Sequence, residues 1–311
     1  MKEVKVFAPA TVANVACGFD ILGFAIEKPG DEVVARFANR RGLSIIQITG
    51  TKGKKLPFEV EKNTAGYAAL QLLKHLDEEK RGIELEIHKK MPFGSGLGSS
   101  AASAVGGVMA VNELLDCPLS KQEILRFAVE GEEIADGAFH ADNVAPSLLG
   151  GITLIRNNQD LDVHSLPVPK NLHAVVVHPK IEILTKDARA VLSAEVSLKK
   201  IIEQTGNLGG LIIGLYQSDF KLISRSLQDV IIEPQRAILI PHFNKVKEAA
   251  LLKGALGCSI SGAGPSIFSL CDDPSVAEQA GSAMQKVFSS NGINSECFSS
   301  PINQRGAVKL C

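Results

Sequence analysis

The sequence predicts an α+β protein of two domains, and three observations lead there. The chain has 311 residues, roughly two domains' worth at about 150 residues each. A polar, proline-bearing stretch, Asn157-Asn158-Gln159-Asp160 followed by Pro167-Val168-Pro169, interrupts it near the middle and reads as a connection between domains. Beyond that stretch the elements run β, helices, β-β, α, β, which fits a split βαβ or ferredoxin-like sandwich better than a doubly wound parallel sheet. The boundary is placed at 165, giving domains of residues 1–165 and 166–311.

In the first domain, Val4-Lys5-Val6-Phe7-Ala8 reads as a strand broken by Pro9, and Val33 to Phe37 as another. Ile83-Glu84-Leu85-Glu86-Ile87-His88 alternates strictly, as a half-exposed strand does. Asn63 or Thr64 can cap a helix that carries Tyr67, Leu70, Leu73 and Leu76 on one face. Ser120-x-x-Glu123 is a capping box opening a helix that buries Ile124, Phe127 and Ala128. A small-residue helix runs from about Ser99 to Leu115 and is ended by Pro118. In the second domain, strands are expected at Leu172–His178, Gly257–Ser261, Pro265–Leu270 and Ile293–Phe298, with a helix opening at Pro274.

Composition narrows the function. Apolar residues make up 45% of the chain and charged ones 22%, enough for buried cores and incompatible with a disordered chain. Lys plus Arg (33) nearly balance Asp plus Glu (34), for a formal net charge of −1, so no global field attracts nucleic acid or an anionic membrane. The absence of Trp and the presence of only two Tyr argue against base stacking on single strands. No apolar run approaches the ~20 residues of a membrane span, and the opening Met1-Lys2-Glu3-Val4 does not look like a signal segment, so a cytoplasmic protein is expected. Six cysteines (17, 117, 258, 271, 297 and 311) form no CxxC pair and read as reduced thiols.

The most informative segment lies between the alternating strand and the small-residue helix: Met91-Pro92-Phe93-Gly94-Ser95-Gly96-Leu97-Gly98-Ser99-Ser100-Ala101-Ala102. Glycines at every second position free the backbone to turn its N–H groups inward, and the helix that follows adds its positive end, so an anion such as phosphate is favoured. Two serines just inside the helix can offer hydroxyls to a magnesium ion or a phosphate oxygen. A Walker loop is excluded because no Lys follows, a dinucleotide fingerprint because Ser99 stands where the third glycine belongs, and a hydrolase elbow because GxSxG is absent.

The full run resembles the ProxxxGlyLeuGlySerSerAla motif of the GHMP kinases. That resemblance implies an N-terminal domain of the ribosomal protein S5 domain 2-like type and a C-terminal ferredoxin-like α/β sandwich. It also implies ATP phosphates wrapped by Pro92, Phe93, Gly94, Ser95, Gly96, Leu97, Gly98, Ser99, Ser100, Ala101 and Ala102. Ala8-Pro9-Ala10-Thr11-Val12-Ala13-Asn14-Val15-Ala16-Cys17-Gly18-Phe19-Asp20 is similar to the first motif of the homoserine kinase branch, keeping Asn14 and Asp20 but with Val12 for the usual Ser and Ala16-Cys17 for Gly-Pro. His140-Ala141-Asp142-Asn143-Val144-Ala145-Pro146 is similar to the same branch, whereas mevalonate kinase-like members carry Ser-Gly-x-Asp here. Gly257 to Ser266 is similar to the third GHMP motif, whose glycine turn would reach back over the phosphate loop.

The resemblance implies phosphoryl transfer from ATP to the hydroxyl of L-homoserine, on the route to threonine. Ser100 and Glu132 would hold Mg²⁺, with Glu130 and Glu133 as local rivals. Arg189 and Arg236 would clamp the substrate carboxylate, since a guanidinium fork matches it best. Asn14 and Asp20 would face the ammonium group, and Asn143 with His140 would orient the hydroxyl. Asp142 is the nearest carboxylate for a base, but in a loose transition state the proton can leave late to the transferring phosphoryl group. A homodimer is expected from family likeness. Rival expectations are another GHMP kinase acting on a sugar or mevalonate, and a non-catalytic binder of ATP or an amino acid.

Overall fold

The computed structural model describes residues 2–51, 53–137 and 139–310; Met1 and Cys311, both quoted above, lie outside them. Six strands open the chain: β1 (Glu3–Ala13), β2 (Leu22–Phe37), β3 (Leu43–Thr49), β4 (Ile83–His88), β5 (Ile152–Asn157) and β6 (Asp162–Leu166). They form one sheet with the last strand of the chain, β11 (Val308–Leu310), in the order β11-β1-β2-β4-β3, while β5 pairs with the early part of β2 and β6 with β5. The polar stretch expected as a connection therefore contains β6, and the chain leaves this sheet after Leu166.

Helices α1 (Thr64–His75), α2 (Ser99–Leu114) and α3 (Lys121–Asp136) pack on one another, with α2 against β1 and β2. Short α4 (Val144–Leu149) joins them. Asn63 caps α1 by accepting from the Ala65 and Gly66 amides, and Ser120 and Glu123 form the capping box of α3, each satisfying amides that have no partner within the helix.

Two expectations need correction. Pro9 does not break β1, which runs on to Ala13 with a register shift between Pro9 and Thr11. β11 pairs only with Lys5 to Phe7, so Pro9 lies beyond its reach and its missing N–H costs no ladder bond there. The buried face of α1 is Ala65, Ala68, Ala69, Leu72 and Leu73, with Tyr67, Leu70 and Leu76 only half-buried at its edge. Small residues sit inward because α2 and α3 both press on that face.

The second sheet is antiparallel, ordered β10-β7-β9-β8 from β7 (His173–Pro179), β8 (Gly257–Ile260), β9 (Ile267–Cys271) and β10 (Ser295–Pro301), the ferredoxin-like order. Between β7 and β8 the chain forms α5 (Thr185–Ala190), α6 (Leu198–Gln217), α7 (Phe220–Ser226), α8 (Glu233–Arg236) and α9 (Phe243–Leu251); α10 (Pro274–Ser290) lies between β9 and β10. Strand β7 is buried on both faces. Val175 and Val177 join the core under α9 and α10, whereas Ala174 and Val176 join the core of the first sheet, as a period of two requires. Phe24 of β2 meets Phe268 of β9 edge to face, ring centres 5.8 Å apart. This contact packs the two sheets against each other.

Candidate active site

The phosphate-type loop is shaped by backbone conformation that only glycine adopts readily. Gly94, Gly96 and Gly98 all have positive φ (58°, 70° and 66°), the left-handed region. A Cβ on Gly98 would lie 2.3 Å from Thr11 Oγ1 and 2.8 Å from Asn143 Oδ1, so the loop's last glycine is also the point where β1 and the start of α4 touch it. The turn between β8 and β9 closes over the other side. Ser261 Oγ donates to Gly96 O at 2.6 Å, the Ser266 amide donates to Ser95 O, and a Cβ on Gly96 would strike Ser261 O at 2.3 Å.

Lys89 supports the loop from beneath. Its ammonium, almost wholly buried, pairs with the buried carboxylate of Asp31 and donates to Ser99 O and Ser103 Oγ, both at 2.6 Å. It thereby ties the first turn of α2 to β2 and to the end of β4. Sequence gave no signal for this, since Lys89 and Lys90 look alike there, yet Lys90 points outward to Glu32.

At the start of α2, Ser100 Oγ donates to Glu132 Oε1 at 2.6 Å. Glu132 is buried and lines the cleft. Its two rivals do not: Glu130 pairs with Arg126 at 3.6 Å and lines another depression, and Glu133 is exposed. A hydroxyl and a carboxylate side by side are hard oxygen donors of the kind magnesium takes together with substrate phosphates. The hydroxyls of Ser95 and Ser99 are shielded from solvent without a protein hydrogen-bond partner, so acceptors such as phosphate oxygens would satisfy them.

The opposite wall is cationic. Arg236 is buried on the face of Phe19, 5.0 Å from the ring centre, and donates to Ala188 O and Gly262 O, each at 3.0 Å. Burial first, and the nearby Arg189 charge second, push its pKa down. Arg189 donates to both oxygens of Asp20 at 3.3 Å, and His140 Nε2 lies 3.9 Å from Asp20 Oδ2. Two guanidiniums on one aromatic ring repel each other, and an anion placed between them relieves that repulsion.

The loop bearing Asp20 is strained. Asn14, Val15, Ala16 and Asp20 all have positive φ (72°, 42°, 58° and 60°), unusual for non-glycine residues and most of all for a β-branched one. Ala16 thus holds a left-handed conformation where the motif usually has Gly. Asn14 stabilises the loop: its Oδ1 accepts from the Asp20 amide and its Nδ2 donates to Gly262 O.

One cleft of about 350 Å³ is lined by Asn14, Asp20, Phe93, Gly94, Ser95, Gly96, Gly98, Ser99, Ser100, Glu132, His140, Asp142, Asn143, Arg189 and Arg236. Of the residues expected at the site, Pro92, Leu97, Ala101 and Ala102 do not line it and are buried behind the loop. Asn63 and Thr64, which the sequence marked only as the cap of α1, also line it, as do Leu56 and Pro57, which sequence did not single out because loop residues before an N-cap carry no chemical signature.

Fold and cleft together define a small-molecule kinase that uses ATP. Residues 63–151 match the GHMP kinases N terminal domain family and residues 211–290 the GHMP kinases C terminal family. The chain belongs to the GHMP kinase family. It is 49% identical to the homoserine kinase of Chlorobium phaeovibrioides over 99% of both chains, and 41% identical to that of Xylella fastidiosa over 99% of this chain and 94% of the other. Among solved structures, the homoserine kinase from Cytophaga hutchinsonii is 52% identical with a TM-score of 0.97, covering 100% of this chain and 98% of that one. The L. major mevalonate kinase, 16% identical with a TM-score of 0.72 over 96% of each chain, shares the fold.

Proposed function

We infer that the protein is a homoserine kinase, moving the γ-phosphoryl group of ATP to the hydroxyl of L-homoserine to give O-phospho-L-homoserine for threonine synthesis. The observation that carries this reading is the joining, in one cleft, of the glycine loop with Asn143 and the two arginines.

Positioning and charge stabilisation do most of the work in phosphoryl transfer. Backbone amides from Gly94 to Ser100, with the Ser95 and Ser99 hydroxyls, hold the phosphates, while Leu56 and Pro57 offer an apolar wall for the base. Ser100 and Glu132 would hold Mg²⁺, which would supply positive charge against the phosphates. The α-carboxylate lies against Arg189 and Arg236. Its arrival draws Arg189 from Asp20, leaving that carboxylate, with Asn14 fixing its loop, to take the ammonium. Asn143, backed by Thr11, and His140 orient the hydroxyl toward the loop. Little early proton removal is needed in a loose transition state, so Asp142 shapes the field around Asn143 and Arg236.

Release of ADP by the purified protein with Mg-ATP, compared for L-homoserine, mevalonate, galactose, shikimate and L-serine, tests the reading. Turnover on homoserine alone is expected. Turnover on another alcohol alone would keep the phosphate site and overturn the acceptor, and silence on all five would leave only a binding protein.

A further inference from the structure

Two polar residues that do not line the cleft, Asp229 and Gln204, join the two segments that carry its acceptor-side charges. Asp229 is buried in the loop before α8. Its Oδ1 accepts from the Ile231 and Ile232 amides, each at 2.9 Å, and its Oδ2 from the Glu233 amide at 2.8 Å. These amides open α8 and would otherwise lack partners, and α8 ends in Arg236.

The fourth donor to Asp229 comes from α6. Gln204 Nε2 donates to Asp229 Oδ1 at 3.0 Å and to Cys17 O at 3.3 Å, while Gln204 Oε1 accepts from the Val230 amide at 3.0 Å. One amide side chain therefore bridges the loop 14–20, which ends in Asp20, and the loop 229–232, which leads into Arg236. The first of these loops has four non-glycine residues at positive φ, and such strain persists only where the surroundings over-determine it. Asn14 ties its start to Gly262 O, and Gln204 ties its middle. At the other end, Arg236 Nε donates to Ala188 O, so a shift of α8 is passed to Arg189, the next residue along α5. The Asp229 carboxylate also opposes the effect of burial on Arg236.

The geometry points to Gln204 and Asp229 as positioning residues for the acceptor, together setting the spacing between Asp20, which takes the ammonium of homoserine, and Arg236, which takes its carboxylate. This deepens the homoserine kinase reading and rests on it. A substrate gripped at both ends depends on that spacing, because small misplacements are costly in catalysis. One gripped at a single end does not.

Steady-state kinetics with L-homoserine and with 3-aminopropan-1-ol, the same amino alcohol without its carboxylate, tests the role. Gln204→Leu keeps the bulk of a half-buried side chain and removes its bonds. KM for homoserine should rise roughly 10-fold, while KM for ATP and kcat/KM for 3-aminopropan-1-ol stay within about twofold. The preference for homoserine over the amine therefore falls roughly 10-fold. Asp229→Asn, with one acceptor oxygen in place of two, should shift the same way, and Gln204→Leu decides the matter where Asp229→Asn does not fold. Asn207→Ala removes a bond from the next turn of α6 to Gln228 O and should match the wild type. An unmoved homoserine KM in Gln204→Leu, equal losses on both alcohols, or an equal loss in Asn207→Ala would overturn the positioning role and leave the kinase reading intact. A wild type with no turnover on homoserine would overturn that reading, and this role with it.

Discussion

The Thr11 hydroxyl donates to Asn143 Oδ1 at 2.8 Å, joining residues 132 positions apart directly against Gly98. The bond fixes which way the Asn143 amide faces and leaves its NH₂ for a ligand. Thr11→Val keeps the shape and removes the donor. The expected result is a fall in kcat of roughly 10–100-fold with little change in KM for ATP, and recovery in Thr11→Ser; steady-state kinetics of the three proteins decides it.

Glu132→Gln keeps an acceptor for Ser100 but removes the negative charge. Turnover should fall roughly 10²–10³-fold, with a higher magnesium requirement in a titration of rate against Mg²⁺. Glu133→Gln, exposed on the same helix, should behave as wild type; equal losses in both would take the metal role from Glu132.

Arg189→Met removes one guanidinium while leaving Arg236 on Phe19. KM for homoserine should rise roughly 10–100-fold, and KM for ATP should stay within about twofold, because a charge-assisted carboxylate contact is lost on the acceptor side alone. A matching rise in both would place Arg189 on the nucleotide side.

Asp31→Ala leaves the Lys89 ammonium buried without its counter-charge. Breaking such a pair from one side costs about 3–5 kcal/mol, which urea unfolding would read directly. Asp31→Leu/Lys89→Met, which removes both charges, should be clearly less harmful than Asp31→Ala.

Stability should decline on acidification through His88. Burial first, then the Lys5 and Lys90 charges, lower its pKa against the opposing pull of Glu32. A depressed imidazole pKa favours the neutral form in the folded state, so the contribution is whole above the ordinary value near 6.5 and is lost as pH falls from there through the folded pKa. Unfolding free energies at pH 7.5 and 5.5 should differ, and His88→Gln should narrow the gap.

Local chemistry made much of the fold legible. The capping box at Ser120, the cap at Asn63 and the alternation of β4 are short-range signals, and each sits where the sequence placed it. Strands β3 and β5 escaped notice because their partners, β4 and β2, lie far away in sequence. Strand β6, although next to its partner β5, escaped because four of its five residues are half-buried or exposed and carry no apolar alternation. The glycine loop was readable because positive φ demands glycine. The bond from Thr11 to Asn143, the stacking of Arg236 on Phe19 and the burial of Lys89 against Asp31 exist only once distant segments meet.

The central claim is a phosphoryl group placed on the hydroxyl of homoserine by this cleft. Phosphorus NMR of a reaction of the purified protein with Mg-ATP and L-homoserine tests it most directly. The expected result is a phosphomonoester signal coupled to the side-chain methylene of homoserine, growing in step with ADP. ADP with inorganic phosphate and no such ester, or no loss of ATP, would contradict it.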